Sequence, residues 1–167
     1  SGQPVTTIMD SWIKQTGYPI LSLERLVRDG ETHLRLTQRR FLYDHLDPQQ
    51  GEEDPTVWQI PVGVVNSGTS ERTSLFLRKV SEEKSMGKNL SPHDWVKVNA
   101  QQTGFYRVKY APEDWKKLRC GVQEFQLPAV DRLGLQNDAY ALAQAGYVSP
   151  TLFLSLIEAY RNENDTS

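Results

Sequence analysis

Hydrophobic and polar positions alternate along the chain as far as Tyr110, and beyond it the apolar residues recur at helical spacing. Leu21 and Leu23 alternate with Ser22 and Glu24, and Leu34 and Leu36 with Arg35 and Thr37. Between them Asp29-Gly30 supplies two residues that tolerate positive φ, the signature of a tight hairpin. The pattern predicts two antiparallel strands with their leucines on one face. Trp58, Ile60, Val62 and Val64 mark a further strand. Pro61 lies on the opposite parity and lacks an N–H, which favours an edge or a bulge there. Asn66 to Ser70 reads as a turn, Ser74 to Val80 as a returning strand and Ser81 to Lys88 as a charged loop. Trp95 to Val98 and Phe105 to Tyr110 flank Gln101-Gln102-Thr103-Gly104 and read as a hairpin with a longer turn. About six short strands separated by turn signals predict an antiparallel β-sandwich.

Helical spacing frames this region. Thr6 or Thr7 caps a short opening helix with Ile8 and Trp12 on one face, stopped by Gly17 and Pro19. After Tyr110, Pro112 suits a first helical position, followed by Trp115 and Leu118. Leu127 to Gly146 predicts a long amphipathic helix. Leu133, Asn137, Tyr140 and Gln144 line one stripe, and Leu135, Ala139, Leu142, Ala143 and Ala145 widen its apolar side. Gly146 is placed for a left-handed C-terminal cap. Ser149 caps the next helix, with Pro150 at its first position and Leu152, Phe153, Leu156, Ile157 and Tyr160 on its buried side. The short turn between the two makes them antiparallel. One helical hairpin cannot bury both apolar sides, so it docks on the sandwich or stacks on further helices. The apolar side of the long helix is expected to be partly exposed or covered by a neighbour. The fold class expected is therefore mainly β: an antiparallel β-sandwich preceded by a short helix and followed by a helical hairpin.

Composition narrows the options modestly. The chain has 167 residues, 38% hydrophobic and 24% charged, enough apolar matter for a core. Nineteen basic and 21 acidic residues give a net charge of -2, which favours neither nucleic acid nor an anionic membrane as partner. No apolar run approaches the ~20 residues of a membrane span, and no signal peptide is legible. Cys120 is the single cysteine, so an internal disulfide is excluded and a reducing compartment is favoured.

A search for chemistry returns little. His33, His45 and His93 do not form H-E-x-x-H, and Cys120 has no second cysteine at metal-site spacing. There is no G-x-S-x-G elbow, G-x-G-x-x-G loop or Walker motif. Asp131 and Asp138 lie seven apart on the long helix and could act as an acid–base pair. The favoured reading is plainer: Asp131 complements the helix N-terminus, and Asp138 makes a capping or interhelix hydrogen bond. Arg132 and Asn137 are read as bonding neighbouring backbone or helices. Asp44, Asp47, Glu52, Glu53 and Asp54 lack the order of a calcium loop and read as a solvated loop. The tryptophans could form a carbohydrate platform, but Trp12, Trp58 and Trp115 share the spacing of core residues, and packing is favoured.

Four segments occur in order: Trp12-Ile-Lys-Gln-Thr-Gly-Tyr-Pro19; Trp58-Gln-Ile-Pro61; Trp95-Val-Lys-Val-Asn99 with Gly104-Phe-Tyr-Arg-Val-Lys-Tyr110; and Leu127-Pro-Ala-Val-Asp-Arg-Leu-Gly-Leu-Gln-Asn-Asp138. Together they resemble the region after the catalytic domain in the zinc aminopeptidases related to aminopeptidase N. The last is most similar to the puromycin-sensitive branch. The resemblance covers about Thr7 to Glu163. It implies three parts: residues 1–17 from the end of the catalytic region, 18–111 as a β-sandwich domain, and 112–167 as the start of a C-terminal helical solenoid. It also implies a parent hydrolase that removes N-terminal residues from peptides by means of a zinc-bound water. The family's zinc ligands, catalytic glutamate and G-x-M-E-N motif have no matching position here, so no catalytic, cofactor-binding or metal residue is assigned to this chain. The expected role is a non-catalytic linker or scaffold in a cytoplasmic parent. Its partners are the catalytic and helical domains of the same chain, peptide substrates through the parent, and a second copy through the exposed helical hairpin. The alternatives are an independent interaction module, using a sheet edge or the acidic loop, and, less favoured, a carbohydrate-binding module.

Overall fold

The computed structural model of the chain describes residues 17–41, 56–87 and 90–160. The expected opening helix and the acidic loop from Tyr43 to Pro55 lie outside the described residues.

Strands β1 (Pro19–Arg28) and β2 (Glu31–Arg40) form the expected hairpin, in register from Pro19 opposite Arg40 to Arg28 opposite Glu31. Asp29 and Gly30 have φ of 52° and 77°, so both turn residues adopt the left-handed conformation that matches the twist of the strands. β3 (Ile60–Asn66) and β4 (Thr69–Leu77) form a second hairpin. β5 (Ser81–Ser85), β6 (Val96–Val98) and β7 (Arg107–Lys109) complete two sheets, ordered β5-β2-β1-β7 and β4-β3-β6. Leu21, Leu23, Leu34 and Leu36 from the first sheet and Ile60, Val62, Val64 and Leu77 from the second are buried in one core. Gln38 is buried among them, and its amide is satisfied across the core. Its Nε2 donates to the carbonyls of Trp58 (2.8 Å) and Lys79 (3.0 Å), and its Oε1 accepts from the Trp58 N–H (2.8 Å). An unpaired buried amide would be costly, so this contact also fixes how the hairpins align.

Two strand expectations are corrected. Ser81–Ser85 is an edge strand rather than a loop, paired with β2. Its polar side chains hide it from a hydrophobic reading, yet backbone pairing needs no apolar residue, and charge on an edge discourages further pairing. Arg28 and Arg35 both contact Glu83 on this strand. The segments around Val96–Val98 and Arg107–Lys109 are not a hairpin. β6 pairs antiparallel with β3, and β7 pairs parallel with β1 in the other sheet. Between them a 3-10 turn (Ala100–Gln102) redirects the chain, with Asn99, Gln101 and Gln102 all at positive φ. Asn99 braces this crossing, accepting from the Gly104 N–H (2.8 Å) and donating to the Gly104 carbonyl (3.1 Å). Pro61 lies on the middle strand of the second sheet but at a position paired on one side only, the edge position its missing N–H favours. β6 reaches only Val64, Val65 and Asn66, so the side of β3 beyond it needs no N–H at Pro61.

The helices are α1 (Pro112–Gln123), α2 (Ala129–Ala145) and α3 (Pro150–Glu158). Pro112 and Pro150 open their helices, and the Ser149 hydroxyl accepts from the Leu152 N–H. Gly146 ends α2 at φ 90°, as expected of a left-handed cap. α1 is tied to the first sheet by Arg25, whose Nε lies 2.7 Å from Asp114. α2 packs on α3, β7 and the 3-10 turn. Its buried face is the wider apolar side expected, joined by three charged residues that were not expected there. Leu135, Ala139, Leu142 and Ala145 are buried, together with Asp131, Arg132 and Asp138, while Leu133 (39%) and Tyr140 (53%) remain exposed. The partial exposure foreseen for this helix is therefore present, and it falls on the stripe of Leu133, Asn137 and Tyr140.

Candidate functional site

The seam between the sheets and α2 holds the chain's most unusual chemistry. β6 is buried at all three positions, Val96, Lys97 and Val98. Alternation sends Val96 and Val98 into the core and Lys97 to the opposite face, where α2 covers it. Lys97 is fully buried. Its ammonium donates to the carbonyls of Val98 (2.7 Å) and Asn99 (3.1 Å) and to Gln102 Oε1 (2.9 Å), which uses all three N–H groups. Asp131 on α2 lies 3.8 Å from the ammonium and accepts from the Gln101 N–H at 2.6 Å. The carbonyls of Val98 and Asn99 and the Gln102 side chain thus serve the cation, while the Gln101 N–H serves the anion.

One helical repeat further along α2, Asp138 meets Arg107 of β7 at 3.2 Å. Asp138 is 1% exposed and Arg107 31%, so the pair spans from interior to surface. Burial pushes the Asp138 carboxyl from 3.8 up to about 6, against the pull of Lys97 and Arg107. Burial also pushes Lys97 below the ordinary lysine value, which Asp131 and Asp138 oppose. Tyr106 and Tyr110 lie beside this seam, and burial raises both phenols. Tyr110 is anchored by the Val98 N–H, which donates to its hydroxyl at 3.0 Å.

The sequence named Asp131 and Asp138 and preferred structural roles for them. The structure brings both to this seam: Asp131 lies in the first turn of α2, as expected, and also bonds the 3-10 turn, while Asp138 bonds β7 rather than a cap or another helix. Arg132 bonds neighbouring backbone as expected, donating to the Leu127 carbonyl at 2.6 Å. Asn137 is exposed beside a cavity of about 560 Å³ that Tyr18, Phe41, Arg107 and Tyr140 also line. Lys97, Arg107 and Gln102 were missed. The available signal was Val-Lys-Val itself, a strand too short to have a solvent face once a helix covers it. A groove of about 720 Å³ opens beside the seam, between Asn66 and Arg72 of the sheets and Trp95, Gln126 and Asp131.

The remaining candidates do not converge on the seam. His33 is on β2, His93 is exposed in a turn, and His45 lies outside the described residues. Cys120 is an exposed, free thiol on α1. Trp58, Trp95 and Trp115 are buried, which removes the carbohydrate platform they were weighed for. Trp12 and the acidic loop lie outside the described residues. Among the described residues, no group of three or more His, Cys, Asp or Glu is placed to hold a metal ion. No described helix is long and apolar enough to cross a membrane.

The family model of the ERAP1-like C-terminal domain matches residues 95–167, the stretch that holds β6, β7 and the three helices of the described residues. The puromycin-sensitive aminopeptidase of Caenorhabditis elegans is 34% identical over 168 residues, covering 99% of this chain. The chain is homologous to a segment of the aminopeptidases. Aminopeptidase M1-D of Oryza sativa subsp. japonica is 34% identical over 100% of the chain, and the alanine/arginine aminopeptidase of Saccharomyces cerevisiae 35% over 98%. The chain spans only 17%, 19% and 18% of these three relatives.

Proposed function

We propose that the chain is a non-catalytic spacer and scaffold within a zinc-dependent aminopeptidase that removes N-terminal residues from peptides. In this reading its sandwich fixes the helices that follow it in position over an active site located elsewhere in the parent. The observation that supports it best is the seam at Lys97, Asp131, Arg107 and Asp138. Here consecutive strands enter different sheets and both grip one helix, an arrangement suited to holding two parts of a large protein at a set angle. The groups of the seam are also tied to one another, which suits a joint better than a reaction centre. In this reading zinc belongs to the parent's catalytic region.

The same reading divides the chain at about residue 112 into sandwich and helical parts and places the parent in the cytoplasm. Exposed Val130, Leu133, Tyr140 and Leu154 are then surfaces for the parent's other helices or for a second copy. The decisive assay supplies the isolated chain with zinc and aminoacyl fluorogenic amides. No turnover is expected; appreciable turnover would overturn the spacer reading.

A further inference from the structure

The two carboxylates of the seam are held differently. Asp131 takes both a backbone N–H and the nearness of Lys97. Asp138 depends mainly on Arg107, whose guanidinium is part-exposed and also bonds Tyr18 at the mouth of the 560 Å³ cavity. The groups acting on Asp138 come from each side of the seam. β6 contributes Lys97, and β7 contributes Arg107 and the Val108 N–H. Flanking β7, the Tyr106 and Tyr110 phenols both feel the Asp138 charge. Asp131 is the other acid on α2, and the 3-10 turn presents neutral glutamines. α3 also packs on α2, and its one charged residue, Glu158, is not among the groups acting on Asp138. Lys97 has all its N–H groups engaged with other acceptors. An ionised Asp138 is therefore a buried charge met by a part-solvated Arg107 and the Val108 N–H, with its Oδ2 buried and without a hydrogen-bond partner, an arrangement that burial penalises.

We propose that Asp138 is an acid-closed latch: protonated, it lets α2 seat fully against β6 and β7, and ionised, it loosens that seam. The junction between sheets and helices then stiffens as the medium becomes weakly acidic. The sign follows from linkage. A carboxyl that holds its proton more tightly when buried than when released makes opening easier as pH rises between 3.8 and about 6. Each unit of such a difference is roughly tenfold in the opening equilibrium, so the full span is on the order of a hundredfold. The latch concerns the joint itself and stands whether or not the parent is an aminopeptidase.

The test is hydrogen exchange of the full chain from pH 4.5 to 7.5, corrected for intrinsic exchange and followed in peptides covering α2 and β7. The opening constant of α2 should rise at least tenfold across this range, and in Asp138→Asn it should be nearly flat. Equal slopes in the two proteins, or no slope in the wild type, would overturn the latch. Arg107→Gln covers the case in which Asp138→Asn does not fold. Arg107 favours the ionised form, so its loss should move the midpoint to higher pH, and an unmoved midpoint would also overturn the proposal.

Discussion

Replacing Gly134 by alanine should destabilise the chain, although the helix alone predicts the reverse. Gly134 sits within α2, where alanine is favoured over glycine by ~1 kcal/mol. The structure changes the sign. A Cβ at Gly134 would lie 2.1 Å from Gln102 Cδ and 2.3 Å from its Oε1. That oxygen accepts from the buried Lys97 ammonium at 2.9 Å. The side chain of Gln102 must swing away to admit the methyl, releasing one of the three acceptors of a buried cation. A hydrogen bond to a charged group contributes ~1.5–3 kcal/mol. Forcing a methyl into a packed site typically costs ~1–3 kcal/mol. With the propensity gain subtracted and some relaxation allowed, the net loss is about 2 kcal/mol. Urea unfolding followed by tryptophan fluorescence and circular dichroism measures it, provided the two probes coincide. In a Gln102→Ala background the methyl has room, and the same substitution should be neutral or stabilising by up to ~1 kcal/mol. A gain of ~1 kcal/mol from Gly134→Ala in the otherwise intact chain would refute the close approach of α2 to the turn.

Two further substitutions probe the same seam. Lys97→Met leaves the acids of α2 without their buried cation and should cost ~3–5 kcal/mol, with a smaller added loss when combined with Asp131→Asn; a double-mutant cycle in denaturant checks the coupling. Leu135→Ala empties a fully buried position on α2 and should cost ~2–5 kcal/mol, read as a fall in thermal midpoint, whereas Leu133→Ala on the exposed stripe should shift it little.

The strands whose cues are local were legible. The β1–β2 hairpin follows from alternating leucines and Asp29-Gly30, and the helix boundaries from Pro112, Gly146 and Ser149-Pro150. Strand β5 was not, because an edge strand is recognised by its backbone partner and not by apolar side chains. The β6–β7 separation was not, because Gln101-Gln102-Thr103-Gly104 carries ordinary turn residues while the positive φ values at Asn99, Gln101 and Gln102 come from the surrounding packing. The apolar side of α2 was legible, but the burial of its acids was not, for a related reason. Asp131 and Asp138 count as polar along the chain, yet Lys97 and Arg107 make their side of the helix the buried one.

Periodicity, turn residues and caps by themselves determined a β-rich region followed by helices, and ordered motifs determined the resemblance to the aminopeptidases. These signals are local, since each depends on residues a few positions apart. Tertiary structure alone decided that β6 and β7 part into different sheets, that Lys97 is sealed beneath α2, and that Asp138 is buried against a part-exposed Arg107. The energy of a buried charge depends on what surrounds it, and those neighbours come from strands some thirty to forty positions away in the chain.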